Sequence, residues 1–160
     1  MQSVLRILNR IVWSLWFGGI IALFIFVQTL FARLPRETFI TAAPHLFFAF
    51  ERYQLALAAI ALIVTGVEWL TQVKGARILF VLLTAATLLA VVETAVITPH
   101  IERLRMSAQI STPEFRRWHG ISMGGYLIEA IVLLWAGFVL MQDRRSSEAA
   151  QQDQSLAEAD

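Results

Sequence analysis

The stretch ILFVLLTAATLLAVVETAVIT, residues 78–98, decides the fold. It holds one charged side chain, Glu93, and neither Lys nor Arg. A helix needs about 20 mostly apolar residues to cross the hydrocarbon core of a bilayer. A helix buried in a water-soluble domain seldom reaches that length without a polar face. Three more stretches share this character: residues 53–70 before it, 11–32 before those, and 121–141 after it. None carries Lys or Arg in its interior. The chain is 58% hydrophobic and 16% charged, with a mean hydropathy of +0.64. Soluble domains carry about 25% charged residues, so a water-facing surface would be hard to assemble. The sequence therefore predicts an all-α, multi-pass integral membrane protein. Its fold is an antiparallel bundle of four transmembrane helices within residues 1–141, in contact with the lipid bilayer.

Local signals set the boundaries. The first stretch follows Arg6 and Arg10, as the apolar run of a signal peptide would. It exceeds the usual run of about 7–15 residues, and no small-residue cleavage pattern follows, so it is expected to be a retained span. Thr112-Pro113-Glu114 supplies a capping hydroxyl, a proline for the first helical position and an acid for the first turn. Pro44 is expected to begin the second helix, and Pro99 to kink or end the third. Gly75 sits in a very short loop, which makes the second and third helices antiparallel neighbours. Trp13, Trp16, Trp69, Trp118 and Trp135 lie toward span ends, as interfacial anchors do. Residues 142–160 are Gln, Ser, Ala and acid, and are expected to form a disordered tail. The basic residues divide six to seven between the two ends of the bundle, so their bias does not choose an orientation. The short basic N-terminus and the tight loop from Lys74 to Arg77 favour cytoplasmic termini. A net charge of +1 gives no footprint for nucleic acid. The absence of cysteine removes disulfides, thiolate zinc sites and cysteine nucleophiles.

Polar side chains in a span should face the bundle interior, because lipid cannot hydrogen-bond them. Helical spacing aligns such residues on every span. Ser14, Gly18 and Ala22 form a small-residue ridge on the first, suited to close approach by another helix. Gln54, Ala58, Ala61, Thr65 and Glu68 share a face of the second. Thr84, Thr87, Thr94 and Thr98 align roughly on the third. His119, Ser122, Tyr126 and Glu129 follow one another on the fourth. Glu129 lies about 15 Å along the helix from His119, and Glu93 about 9 Å inside Pro99, at the usual 1.5 Å rise. With alternating helix directions, both carboxyls fall in the half of the bundle opposite the termini. Gln28, Gln54, Thr94, Thr98 and Ser122 share that half, and Arg33, Glu51, Arg52, His100 and His119 would rim it. The expected pocket for a ligand or proton therefore comprises Glu93, His119, Ser122, Tyr126, Glu129, Gln28 and Gln54. Bland roles compete with this one. Glu129 can be a neutral carboxyl held by a hydroxyl, Glu93 a structural partner for an arginine, and Glu68 a solvated or snorkelling residue at a span end. His45, His100 and His119 are weak candidates for a metal or haem, since imidazole ligates both. No pair of them has i, i+4 spacing. The spans contain no Asp and no nucleophile elbow.

Two stretches carry a resemblance. Phe31-Ala-Arg-Leu-Pro35, with Pro44-His-Leu-Phe47 and Phe50, resembles the first extramembrane segment of the transmembrane protein 205-like family (domain of unknown function 4149). Thr98-Pro-His-Ile-Glu-Arg-Leu-Arg105, then Phe115-Arg-Arg-Trp-His-Gly-Ile-Ser122, resembles that family's proline-containing loop and its Phe, His-Gly and Ser signature. The spacing of four spans agrees over about residues 8–141. The resemblance implies a four-helix membrane domain without an established activity. It marks Pro99, His119, Gly120 and Ser122 as carriers of a shared role, and Trp118 as a mild departure from a smaller apolar residue. Small four-helix membrane proteins of copper handling or haem-pathway oxidation are similar in layout alone.

Three functions are compatible with these residues. The first is a membrane-embedded module that binds or transports a small ligand, a metal or protons through the polar pocket, with a homo-oligomer widening its path. The second is a haem- or metal-dependent redox enzyme, the less favoured reading. The third is an accessory protein that holds a partner membrane protein against the Ser14-Gly18-Ala22 ridge.

Overall fold

The computed structural model describes the backbone of residues 2–157 and the side chains of residues 3–142. Helix α1 spans Gln2–Arg33 and α2 spans Arg36–Leu70. Helix α3 (Ala76–Val92) passes through a π-helical segment (Glu93–Ile97) into α4 (Thr98–Met106) without a break, and α5 runs over Pro113–Ala157. Among the described residues there is no strand. Among the described residues four helices are long and apolar enough to cross a membrane: α1, α2, the continuous α3–α4 rod and α5. They form a four-helix bundle that fits an integral, multi-pass membrane protein. Around it, α1 packs on α2, α2 on α3, α3 on α5, and α5 back on α1.

A spacing of alternating threes and fours chooses the inward faces. On α5 the buried residues include Ser122, Tyr126, Glu129, Leu133, Ala136 and Leu140. On the α3–α4 rod they include Leu79, Leu83, Ala86, Ala90, Glu93 and Ile97. On α1 they are Asn9, Val12, Trp16, Ile20 and Leu23. A 3.5-residue period keeps one seam toward the neighbours of a left-handed bundle. The outer faces carry Ile25, Ile63, Leu88, Leu127 and Trp135, all exposed, as suits contact with lipid. Helix pairing in lipid gains little from burying apolar area. Packing and interhelical hydrogen bonds must therefore hold this bundle together.

Several sequence expectations are corrected. The Ser14-Gly18-Ala22 ridge does not face the bundle: Ser14 and Gly18 are exposed, and a Cβ on Gly18 would meet nothing within 4 Å. Trp16 turns α1 instead, because its indole N–H needs an acceptor and finds one inside. The close approach of α1 to α2 falls at Gly19, where a Cβ would lie 3.0 Å from Tyr53 Cε1. Trp16 is therefore not an interfacial anchor, being fully buried. Pro44 does not begin α2. That helix starts at Arg36 behind Pro35, and Pro44 lies inside it. Pro99 neither ends the third span nor interrupts it. It stands in the first turn of α4, directly after the π segment, in which the Thr98 N–H reaches back to the Glu93 carbonyl. That wider turn carries the helix into the proline, and π segments of this kind are often found at functional sites.

Two further features, the cap of α5 and the turn at Gly75, follow expectation. The Thr112 hydroxyl accepts the Phe115 N–H at 3.2 Å, capping α5 at Pro113. Gly75 adopts φ 81° at the α2–α3 turn, a left-handed conformation that glycine takes without steric cost. The backbone continues as α5 from Gln142 to Ala157, where the sequence predicts a disordered tail. Ala, Gln and Glu are good helix formers, and extending an existing helix requires no new nucleus. Residues 158–160 of that tail lie outside the described residues.

Candidate functional site

The polar residues of the core sort into two clusters at different depths. The larger gathers three carboxyls from three helices: Glu51 of α2, Glu93 of the π segment and Glu129 of α5, exposed by 2%, 2% and 1%. Each has a donor from another helix. The Thr98 hydroxyl donates to Glu51, and the Ser122 hydroxyl donates to Glu93. The Trp16 indole Nε1 donates to Glu129 Oε1 at 2.9 Å. Tyr126, buried on the same face of α5 as Ser122 and Glu129, belongs to this cluster, and its hydroxyl has no hydrogen-bond partner. Gln54 sits one turn beyond Glu51 on the same face of α2. It is fully buried, and neither atom of its amide has a hydrogen-bond partner. No Lys or Arg stands among these residues, so the centre of the bundle is polar with an excess of acceptors.

Close packing lets the carboxyls in. At Gly125, on α5 between Ser122 and Glu129, an added Cβ would lie 3.1 Å from Glu93 Oε2. The glycine makes room for a carboxyl that a larger residue would displace.

A cavity of about 410 Å³ opens beside this cluster, in the half of the bundle opposite the N-terminus. Its walls are mostly apolar, with Phe31, Phe39, Phe47, Phe48 and Phe115 prominent. Thr98 and Ser122 form its polar inner end. These are the two hydroxyls that donate to Glu51 and Glu93, so a guest in the cavity would be one hydroxyl away from two buried carboxyls. Arg36, Glu102 and Arg105 stand at the outer end. Glu102 is forked by the Arg105 guanidinium, with Arg105 Nε donating to Glu102 Oε2 at 2.8 Å. That ion pair closes the charge of Glu102 locally, so the carboxyl does not depend on a guest for a partner.

The residues expected to form one pocket thus divide. Glu93, Ser122, Tyr126, Glu129 and Gln54 come together in the core. Gln28 and His119 do not join them. Both are exposed and line the cavity wall, with His119 stacked on Phe115 at 6.1 Å between ring centroids. Glu51, expected on the rim, is instead a buried member of the cluster, because α2 begins long before it and carries it inside the bundle. The candidate metal ligands stand on three elements. His45 is exposed on α2 and His119 is exposed on α5. His100 of α4 packs on Trp118 at 4.3 Å and pairs with Glu114 at 3.4 Å. Among the described residues no group of three or more His, Cys, Asp or Glu side chains is placed to hold a metal ion.

A second buried cluster, at the end of the bundle near the N-terminus, was not legible in the sequence. Asn9 is fully buried, and its amide nitrogen donates to Glu68 Oε2 at 2.7 Å and to Thr65 Oγ1 at 3.1 Å. Glu68 is therefore not a solvated residue at a span end, being 3% exposed. Asn9 precedes the apolar stretch that starts at Ile11. Only its i, i+3 relation to Val12 hinted that it shares the inward face. Between the two clusters the core is apolar, with Val12, Ala58, Ala61, Leu83 and Leu133 all buried in one contiguous packing group.

A family model described as a domain of unknown function (DUF4149) matches residues 11–109. The chain belongs to the DUF4149 family. The DUF4149 match covers α2, α3, the π segment and α4, with most of α1. It therefore includes Glu51, Gln54, Glu93 and Thr98 of the central cluster. Ser122, Tyr126, Glu129 and the Phe115–Ser122 motif lie beyond the matched residues. No curated protein and no solved structure matches the chain.

Proposed function

We propose that this DUF4149 protein is a membrane-embedded binding module that takes a small ligand in the cavity and exchanges protons at the carboxyls behind it. The observation that carries the proposal is the double role of Thr98 and Ser122: each lines the cavity and each donates to a buried carboxyl. Ligand sites are concave, mostly apolar, about 300–1,000 Å³ in volume, and carry a few convergent polar groups. This cavity, about 410 Å³, has that form. Ionisable groups inside a bundle are costly, and they commonly mark ion or proton paths. With an apolar core beyond Glu129, the proposed site opens from one side, as a binding module or as one state of a transporter. Kinship with the transmembrane protein 205-like branch is part of the same proposal.

The test uses purified protein in lipid nanodiscs and single-chain amphiphiles with cationic, neutral and anionic heads, with binding read as thermal stabilisation against empty discs. At least one class should bind, with an affinity that changes with pH. Ser122→Trp, which fills the inner end, should remove binding. Glu93→Gln should reduce its pH dependence. Failure of every class to bind overturns the proposal.

A second reading has one observation in its favour. Ser14 and Gly18 are exposed to the lipid side, where a second copy or a partner membrane protein could pack closely. Disulfide crosslinking of a Gly18→Cys variant would capture that neighbour, and a lack of any adduct in native membranes would count against it. The haem- or metal-dependent redox alternative gains no such support from three histidines on separate helices.

A further inference from the structure

We infer that the ligand class of the cavity is a lipophilic ammonium: an apolar body carrying a primary or secondary amine in its charged form. This deepens the binding-module reading above and rests on it.

The argument begins with hydrogens at the inner end. The Thr98 and Ser122 hydroxyl hydrogens are already directed at Glu51 and Glu93. What they present to the cavity is therefore oxygen lone pairs. A hydroxyl that donates to a carboxylate becomes a stronger acceptor, because chained hydrogen bonds polarise one another. A guest that brings N–H groups finds acceptors there. A guest that brings a ketone, ester or carboxylate oxygen to this end finds both hydroxyl hydrogens committed, and it meets the field of the carboxyls.

Charge points the same way. Glu93 faces Glu51 from α2, and Glu129, Tyr126 and Ser122 from α5. The side chain that α1 adds is the neutral indole of Trp16, held on Glu129. Among the described residues no Lys or Arg belongs to this cluster. At the outer end, Arg105 is paired with Glu102, leaving Arg36, while His119 lines the wall. An ammonium at the inner end would neutralise the cluster where the chain itself does not. Gln54 gives an independent sign that the cluster lacks a partner. Its buried amide, one turn from Glu51, has neither donor nor acceptor satisfied. Buried polar groups are seldom left in that state, and each such atom calls for an explanation.

The walls suit the rest of such a molecule. Phenylalanine faces accept alkyl groups and attract cations through their ring quadrupoles. Because the cation and protons compete for the same carboxyls, ammonium binding releases protons, and by reciprocity a falling pH weakens it.

The experiment compares dodecylamine, dodecyltrimethylammonium, dodecanol and dodecanoate on the wild-type protein in nanodiscs, with empty discs as reference. Dodecylamine should bind about tenfold or more tighter than the trimethylammonium, which has the charge but no N–H to donate to a hydroxyl. It should exceed dodecanol and dodecanoate by more. Its binding should release protons into a weakly buffered medium and tighten between pH 6 and pH 8. Thr98→Val with Ser122→Ala should reduce dodecylamine affinity about tenfold and narrow its lead over the trimethylammonium. Should this double variant fail to fold, the wild-type comparison of the four heads still decides. Dodecanoate or dodecanol binding as tightly as dodecylamine overturns the ammonium assignment and leaves the binding module standing. Equal binding of the two cations overturns the role given to the hydroxyls. Binding of none of the four overturns the ammonium assignment together with the reading on which it rests.

Discussion

At the scale of single residues, the carboxyls of this protein are defined by who donates to them. Trp16 and Glu129 form the clearest pair, an indole N–H and a carboxyl oxygen 2.9 Å apart and both buried. Glu129→Gln keeps an oxygen acceptor for the indole, so the variant should unfold close to wild type in mixed-micelle denaturation. Glu129→Leu strands the indole N–H, which costs about 1–3 kcal/mol. The same measurement should show that loss. Asn9→Leu should behave like Glu129→Leu, because it removes the amide that serves both Thr65 and Glu68. Gly137 makes a different point. A Cβ there would collide with the Trp13 ring, and the Trp13 indole is already committed to the Leu133 carbonyl at 2.6 Å. Gly137→Ala must displace that ring, and over-packing of this kind costs about 1–3 kcal/mol. Unchanged stability would mean that α1 and α5 separate here at little cost.

At the scale of elements, the π segment is the device that shapes the site. It places one additional residue in a turn, so that Glu93 and Thr98, five apart, both face inward, where they meet Ser122 on α5 and Glu51 on α2. Deleting Ala95 should return the segment to α-helical register. Thr98 would then follow Glu93 by four residues, about 40° further around a helix of 3.6 residues per turn, and would keep its inward face. The Glu93–Ser122 and Thr98–Glu51 bonds should therefore both survive. Paired cysteines in place of Glu51 and Thr98 report this directly: crosslinking should be efficient with and without the deletion. Crosslinking abolished by the deletion would show that the helix beyond it rotates instead.

At the scale of the whole molecule, the bundle sorts its surfaces among lipid, cavity and core. The chain contains no cysteine, so single substitutions report accessibility without background. A cysteine at Ser14 should react with a lipid-soluble thiol reagent and resist a water-soluble, membrane-impermeant one. A cysteine at Ser122 should react with a small water-soluble reagent entering through the cavity. A cysteine at Ala58, 1% exposed, should resist both. Reaction at Ala58 with the water-soluble reagent would reveal an aqueous path across the apolar core.

The number of crossings and the residues available to a site were set locally. Hydrophobic length and the lack of interior Lys and Arg depend on each segment alone, and the expense of bare polar groups in lipid admits a helix for each. The inward face of α2, from Gln54 to Glu68, was equally readable from periodicity, because its polar residues recur at helical spacing. The rotation of α1 was not. Its small-residue ridge and its Asn9–Trp16 face were both consistent with packing, and the choice depends on Glu129, which lies 113 residues away in sequence. The burial of Glu51 and Glu68 likewise depends on donors from other helices, and so does the meeting of cavity and carboxyls at Thr98 and Ser122. A hydrogen bond between helices is a relation of position. One strand of sequence carries the groups that make it, and only the packed bundle brings them within reach.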